Sequence, residues 1–543
     1  MTSLIENTPR AEAIAKYTQA GHWIATTTNE VLERNAREFP NRVALVDDRI
    51  RLTYGDLYRR VQRLAAHWYD MGLTRADVIA LQLPNWSEFV IAVNAAMMLG
   101  IPFCQFHSGF RRKEVEFVLR FLGATVVISP KEFRGFDHLA LMQELQATLP
   151  KLKHLHVVDD ATHPGVFGLR QFLDTDAEPV VAEHELRARR PGGNDLARVL
   201  FTSGTTGDPK AVMHTHNTLL CACSFNNRDY GIGEDSSMLI FLPVGLNWGF
   251  FCSVQTILSG GKIVLMESFD PEKALRLIEA ERVTHFGTAP TALIGMLEVP
   301  RLKEFDLRSL QAVTTSGTAC PVSLIRRWRE QVPGHLVELY GMCESGIQSC
   351  TLRTDDPTQV SGTVGRPAKE VEMRIVDGDG QDVAPGEIGE ILARGPSVTI
   401  GYFNNPAMNA ELFTPDAWFR TGDLGRLDDR GYLVIVGRRK EMIIRGGANV
   451  YPREIEEVLF RHPKILDAAV VGIPDERVGE RACACIIPRP GEKLDFTEVV
   501  RFLSGQIATY KVPERVEIME DFPRTPSGKV QKGVLRKRVL AMG

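Results

Sequence analysis

The sequence predicts an α/β protein with a large N-terminal region and a small C-terminal one. The large region reads as two parallel-sheet α/β units plus a small β-barrel-like unit. The small region reads as α+β. Three observations carry this. Apolar runs of strand length alternate with helical apolar periods through the first two-thirds of the chain, as in parallel strands joined by crossover helices. After about residue 360, short apolar runs separated by Gly and Asp replace that alternation, which suits an antiparallel barrel or sheet. Beyond Lys440, helical and strand patterns mix again over about 100 residues.

In chain order, Leu57, Val61, Leu64, Ala65 and Trp68 recur at helical spacing, with Thr53 able to cap the start and Gly72 the end. A strand follows at 78–83, a helix at 86–99 and a strand at 124–129. The segment 187–193, rich in Arg, Pro and Gly, reads as a connection between the first two units. Val199, Leu200 and Phe201 form a buried strand, and a helix can start at Thr215-His216-Asn217. Strands at 237–242, 262–266 and 310–315 make a second cycle. Short strands follow at 371–376, 389–393 and 432–436. Pro452 sits where the first turn of a helix tolerates it, ahead of the apolar stripe Ile455, Val458 and Leu459. Strands at 468–473 and 482–487 and a helix around Val499, Val500 and Leu503 complete the chain.

At 543 residues the chain is long enough for three or four structural units. A net charge of −4 gives no overall basic field for nucleic acid. The basic run Lys529, Lys532, Arg536, Lys537 and Arg538 reads first as a solvated helix face. The cysteines are unspaced, so they read as reduced thiols in a cytoplasmic protein. Neither Cys-x-Cys pair nor His214-Thr-His216 has the further ligands of a metal site. No leader segment is expected, and no run reaches the ~18 apolar residues of a membrane span.

The densest chemical signal is Thr202-Ser203-Gly204-Thr205-Thr206-Gly207-Asp208-Pro209-Lys210, between the strand at 199–201 and the helix start at 215–217. Glycines let a backbone approach an anion closely, so that successive N–H groups can point at phosphate oxygens. The hydroxyls add donors, and Lys210 adds charge. The run therefore predicts a polyphosphate grip, although no Gly-Lys-Ser/Thr closes it as in the Walker pattern.

Four further blocks follow: Tyr340-Gly341-Met342-Cys343-Glu344, Phe419-Arg420-Thr421-Gly422-Asp423, Gly437-Arg438-Arg439-Lys440-Glu441, and Pro523-Arg524-Thr525-Pro526-Ser527-Gly528-Lys529. In that order they resemble the adenylate-forming superfamily of acyl-CoA synthetases, aryl-acid ligases, peptide-synthetase adenylation domains and luciferases. The resemblance covers nearly the whole chain. It implies an adenylation domain at 1–437, a hinge at 438–440 and a mobile C-terminal domain at 441–543 carrying the catalytic lysine. It also implies ATP, Mg²⁺ and coenzyme A as cofactor and cosubstrates, with a small carboxylic acid as the other partner.

The resemblance assigns roles residue by residue. Lys529 bridges carboxylate and α-phosphate. Glu344 holds the metal, together with Thr206. Tyr340 stacks on adenine, Gly317-Thr318-Ala319 lines its face, and Glu338 meets its edge. Asp423 accepts the ribose hydroxyls, and Arg438 contacts ribose and phosphate. Lys440 is the hinge residue, and Gly446-Gly447 lies on a loop that swings toward coenzyme A. Cys343 replaces the family's usual threonine, and a thiol is the weaker donor, so a weakened phosphate contact is expected. The context of Lys529 resembles acetylated sites, so a protein lysine acetyltransferase is an expected partner; a homodimer is also admitted.

The acyl pocket is read from Leu246, Asn247, Trp248, Phe251 and Met342. Phe250 adds bulk beside them, and the stretch 17–23 resembles a segment common to aryl-acid ligases and some medium-chain or alicyclic acyl-CoA ligases. These favour a medium-chain, alicyclic or aromatic acid. Asn247 either bonds a ring substituent or satisfies backbone. The leading reading is an AMP-forming acyl-CoA synthetase. Alternatives are an aryl-acid ligase loading a carrier-protein pantetheine, a luciferase-like oxygenase and a non-catalytic nucleotide binder.

Overall fold

The computed structural model describes residues 11–24, 26–159, 163–174, 181–202, 210–317, 320–356, 359–360, 362–525 and 528–542. Its core is two large, mainly parallel sheets with a layer of helices between them. One is an eight-stranded sheet, in order Gly401–Tyr402, Lys210–Thr215, Leu196–Thr202, Phe103–Gln105, Ile79–Leu81, Val126–Ser129, His154–Val157 and Val166–Gly168. The other is a nine-stranded sheet, in order Arg366–Pro367, Gly346–Cys350, His335–Met342, Ala312–Thr315, His285–Thr288, Ser237–Ile240, Lys262–Leu265, Val43–Val46 and Arg51–Thr53.

Strand alternation splits the apolar residues into layers. Ile79 and Leu81 face the central helices, in one cluster with Trp68, Phe89 and Phe250. Val78 and Ala80 face the outer helices of the eight-stranded sheet with Val118 and Leu119. A third cluster, around Phe286 and Trp328, covers the outer face of the nine-stranded sheet. Asn85 ties the two sheets together. Its Nδ2 donates to the carbonyls of Leu242 (3.1 Å) and Met266 (3.0 Å), while its Oδ1 accepts from Val244 N at 2.8 Å.

Local chemistry sets the elements. Thr53 and Asp56 form a reciprocal capping box at the start of the helix Tyr54–Asp70. Thr215 caps His216–Tyr230 in the same way, through Thr218. The helix Asn247–Ser259 is buried and apolar around nearly its whole circumference, so no helical period marks it in the sequence. The sequence predicts no strand at Phe419–Leu427 or His335–Met342, yet both form.

The third unit is an open antiparallel sheet in the order Glu372–Val376, Gly389–Arg394, Phe419–Leu427, Leu433–Arg438, rather than a closed barrel. The last unit pairs Ile465–Asp475 with Gly479–Pro488 over a long antiparallel register. Pro452–Leu459, with Pro in its first turn, packs on it. At the other end of the chain, the Tyr17 and Trp23 rings lie 5.1 Å apart, and Trp23 Nε1 donates to Pro396 O at 2.9 Å. This N-terminal arm is thereby pinned to the body of the protein.

Candidate active site

The site lies at the carboxyl ends of the parallel strands, where α/β sheets commonly place ligands. The strand His335–Met342 carries Glu338, Tyr340 and Met342 and then turns back into Gly346–Cys350. Cys343, Glu344 and Ser345 make the turn. Gly341 is required there, because a Cβ on it would stand 2.4 Å from the carbonyl oxygen of Gly346. The turn's carbonyls are all held from outside: His214 Nε2 at 2.7 Å from Cys343 O, Thr399 N at 2.5 Å from Glu344 O, and Ser397 Oγ at 2.9 Å from Ser345 O. Burial holds His214 neutral, pushed down to about 3, so Nε2–H donates while Nδ1 faces Thr218 Oγ1 at 3.2 Å.

Glu344 is fixed from the side by the phenol of Tyr402, which donates to Oε1 at 3.0 Å. Tyr402 also lies under Lys210, whose Nζ is 5.6 Å from the ring centroid. Burial raises the Glu344 carboxyl, against the lowering influence of Tyr402 and Lys210. On the far side, Asp423 Oδ2 accepts the Tyr340 hydroxyl at 2.8 Å, and Asp423 Oδ1 stands 3.2 Å from Arg438 Nε. Burial raises this carboxyl too, and Arg438 opposes the shift.

Lys529 closes the arrangement from the C-terminal unit. Its loop is stitched by Thr525 N to Lys529 O at 2.8 Å and by Arg524 Nη1 to Gly528 O at 2.9 Å, and an Arg524–Asp467 ion pair fixes its base. Lys529 Cε reaches within 3.6 Å of where a Cβ of Gly317 would stand, and Gly317 has φ +90°, a glycine conformation. Residue 529 is accessible to solvent, yet protein crowds its ammonium. That desolvation, followed by Arg438, lowers its pKa, while Cys343, Asp423 and Glu344 pull it back up. Three cations, Lys210, Arg438 and Lys529, thus converge on two carboxylates, Glu344 and Asp423. Such a site has room for a polyanion's charge.

Other predicted residues take definite places. Thr202 ends its strand; Ser203, Gly204, Thr205, Thr206, Gly207, Thr318 and Ala319 lie outside the described residues. Glu338 is buried, and desolvation pushes it up to about 8 despite Arg453 and Arg329 nearby. Cys343 is a desolvated thiol, pushed up to about 12 and so protonated at neutral pH. Leu246 precedes the helix Asn247–Ser259, and Trp248 packs so close to Gly287 that a Cβ there would lie 2.9 Å from the indole. Phe251 joins the central core, while Met342 packs toward Tyr340 and Tyr402 rather than toward Trp248. Lys440 sits in the short turn Arg439–Glu441 between the last two units. Gly446 and Gly447, at φ +58° and +83°, form the tip of the hairpin Ile443–Arg445/Ala448–Val450.

Sequence reasoning missed Tyr402, Arg198 and the role of His214. Tyr402 lies in a two-residue strand with no periodic signal, and Arg198 stands in a run that reads as apolar.

A family profile described as "AMP-binding enzyme" matches residues 32–403, and one described as "AMP-binding enzyme C-terminal domain" matches residues 454–529. The chain is 34% identical to a 2-hydroxy-7-methoxy-5-methyl-1-naphthoate–CoA ligase of Streptomyces carzinostaticus, over 97% of this chain and 95% of that protein. It is also 34% identical to a methyl-dioxo-octahydroindenyl-propanoyl:CoA ligase of Rhodococcus jostii, over 94% and 98%. Among solved structures, ATP-bound MatB from Rhodopseudomonas palustris superposes with a TM-score of 0.85 at 27% identity, covering 95% of this chain and all of that one.

Proposed function

The chain belongs to the AMP-binding enzyme family, and from that premise we propose that it is an AMP-forming acid–thiol ligase acting on a hydrophobic carboxylic acid, whether medium-chain, alicyclic or aromatic. In the first step a carboxylate oxygen attacks the α-phosphorus of ATP. The bond to the β-phosphate oxygen breaks, and pyrophosphate leaves. In the second step the sulfur of coenzyme A attacks the acyl carbon, and AMP leaves. The observation that carries this reading is the convergence of Lys210, Arg438 and Lys529 around Glu344 and Asp423, over the Gly317 turn.

In this reading Lys529 stabilises charge developing between carboxylate and α-phosphate. Lys210 and the hydroxyl-rich run 203–209 grip the phosphates. Asp423 and Arg438 meet the ribose, and Glu338, Tyr340, Gly317, Thr318 and Ala319 form the adenine pocket. Gly341 shapes the turn that presents Cys343 and Glu344 to the phosphates. The donor set fits Mg²⁺, which takes hard oxygen ligands: Glu344, with one oxygen held by Tyr402, and Thr206 would hold the ion. When bound, that ion offsets phosphate charge. Leu246, Asn247 and Trp248, at the start of the helix Asn247–Ser259, would meet the acyl group, with Trp248 packed against Gly287 and Phe251 behind them in the core. After adenylation the C-terminal unit turns about Lys440, which withdraws Lys529 and brings Gly446 and Gly447 toward the thiol.

The test is a panel of carboxylic acids assayed for pyrophosphate release with and without coenzyme A. Acid-dependent pyrophosphate release, with AMP release only when the thiol is supplied, is the expected outcome. ADP and phosphate as products would overturn the mechanism.

A further inference from the structure

The stretch 396–402 holds the turn that carries Glu344 at three points. Ser397 Oγ donates to Ser345 O at 2.9 Å, Thr399 N to Glu344 O at 2.5 Å, and the Tyr402 phenol to Glu344 Oε1 at 3.0 Å. Its Val398 packs on the same small cluster as Met342 and Cys343. The position of this stretch therefore sets that of Glu344, backbone and carboxylate alike. Its far end is fixed by strand pairing, Gly401 with Met213 and Tyr402 with Val212. Residues 395–400 lie between strands, so their backbone groups take partners from elsewhere.

Trp23 supplies one such partner from 373 residues away in the sequence. Its Nε1–H donates to Pro396 O at 2.9 Å, and the indole is 4% exposed. Its ring lies 5.1 Å from that of Tyr17, and both pack with Cys221 in a cluster apart from the main core. Trp23 N also donates to Tyr17 O at 3.1 Å, which closes the arm on itself. The arm is tied down on two sides. Lys16 Nζ donates to Glu372 at 2.7 Å, and His22 meets Phe225 edge-on with ring centroids 5.7 Å apart. Phe225 and Cys221 belong to the helix His216–Tyr230, whose Ala222 Cβ stands 3.2 Å from where a Cβ of Gly346 would lie. The arm thus clips together two supports of the Glu344 turn.

We infer that Trp23 is a positioning residue for acid activation: through Pro396 it holds the stretch 396–402, and through that stretch the turn of Cys343, Glu344 and Ser345. The N-terminal arm is then part of the adenylation machinery, although it lies outside the site. This rests on the function proposed above and deepens it by a residue that acts at a distance.

The test is Trp23→Phe, which keeps a ring against Tyr17 and deletes the N–H. In the nucleotide-free variant the Thr399 amide, which donates to Glu344 O, should exchange its hydrogen about tenfold faster, while amides of the strand Ser237–Ile240 keep their wild-type rates. The kcat for pyrophosphate release should fall about five- to tenfold, with KM for the acid within about twofold. Coenzyme A should still react with pre-made acyl-adenylate at the wild-type rate. Ser397→Ala, which removes a clamp further along the same path, should slow pyrophosphate release similarly, and the double variant should lose less than the product of the two. Ile24→Ala, at an exposed neighbouring side chain, is the control and should change none of these. Where Trp23→Phe fails to fold, the wild type decides. Mg²⁺ with α,β-methylene-ATP should slow amide exchange at residues 17–23, because coupling between two sites is reciprocal.

Wild-type exchange at Thr399 or unchanged pyrophosphate release in folded Trp23→Phe overturns this inference. So does equal slowing of both half-reactions, the mark of a residue that only holds the fold together. In the wild-type experiment, unchanged exchange at 17–23 overturns it. No acid-dependent pyrophosphate release from the wild type overturns the proposed function, and with it the catalytic part of this inference; exchange at Thr399 still tests the path from Trp23 to the turn.

Discussion

Lys529 follows a stitched loop, and Arg438, Cys343, Asp423 and Glu344 all act electrostatically on its ammonium. Replacing it with alanine leaves the loop's backbone bonds intact and removes only that charge. Lys529→Ala should slow adenylation roughly 10²–10³-fold, while coenzyme A still reacts with pre-made acyl-adenylate at near the wild-type rate. Equal loss in both half-reactions would remove Lys529 from its proposed role. Glu338 gives a pH prediction. Burial raises its carboxyl from 4.5 to about 8, so between those values the folded protein holds a proton that the unfolded chain has released. Folding stability therefore falls as pH rises through that window; the penalty is absent below it and complete above it. Glu338→Gln removes the titration. Its melting temperature should exceed the wild type's by several degrees at about pH 9 and match it at about pH 4. Parallel melting profiles across that range would contradict the assignment.

Among the elements, the hairpin that carries Cys343 and Glu344 depends on close backbone contact. A Cβ at residue 341 meets the Gly346 carbonyl oxygen at 2.4 Å, and neither atom belongs to a flexible side chain. Gly341→Ala should therefore distort the turn, lower the melting temperature and cut adenylation by at least about tenfold. Gly233→Ala, where nothing lies within 4 Å of the added carbon, is the matched control and should change neither. Wild-type activity in Gly341→Ala would show that the turn tolerates the shift. This hairpin was legible as a motif and not as structure. Its glycine and glutamate could be picked out, but the supports from His214, Ser397 and Thr399 come from distant segments that no local pattern links.

At the scale of the whole molecule, the proposed second half-reaction requires the C-terminal unit to move, and Lys440 lies in the connection. The turn Arg439–Glu441 is a single 3₁₀ turn, whose φ proline can match. Lys440→Pro should therefore accept the observed arrangement and resist leaving it. In a single turnover it should release pyrophosphate and accumulate acyl-adenylate, forming acyl-CoA slowly even at saturating thiol. Rapid-quench measurements follow both products. Wild-type rates for both steps in the folded variant would refute rotation about this residue.

The sequence by itself determined the alternation of strands and helices, the cap at Thr53 and the helix start at Thr215. It also determined the order of the motif blocks, because each depends on residues close together in the chain. Tertiary structure decided the rest. The third unit stayed an open four-stranded sheet, since edge pairing depends on strand twist and not on composition. Tyr402 came to Glu344, and Arg198 to Asn247, across 58 and 49 residues respectively. Neither pairing leaves a local mark, because a hydrogen bond between distant segments is fixed only when the sheets and helices bearing them have packed.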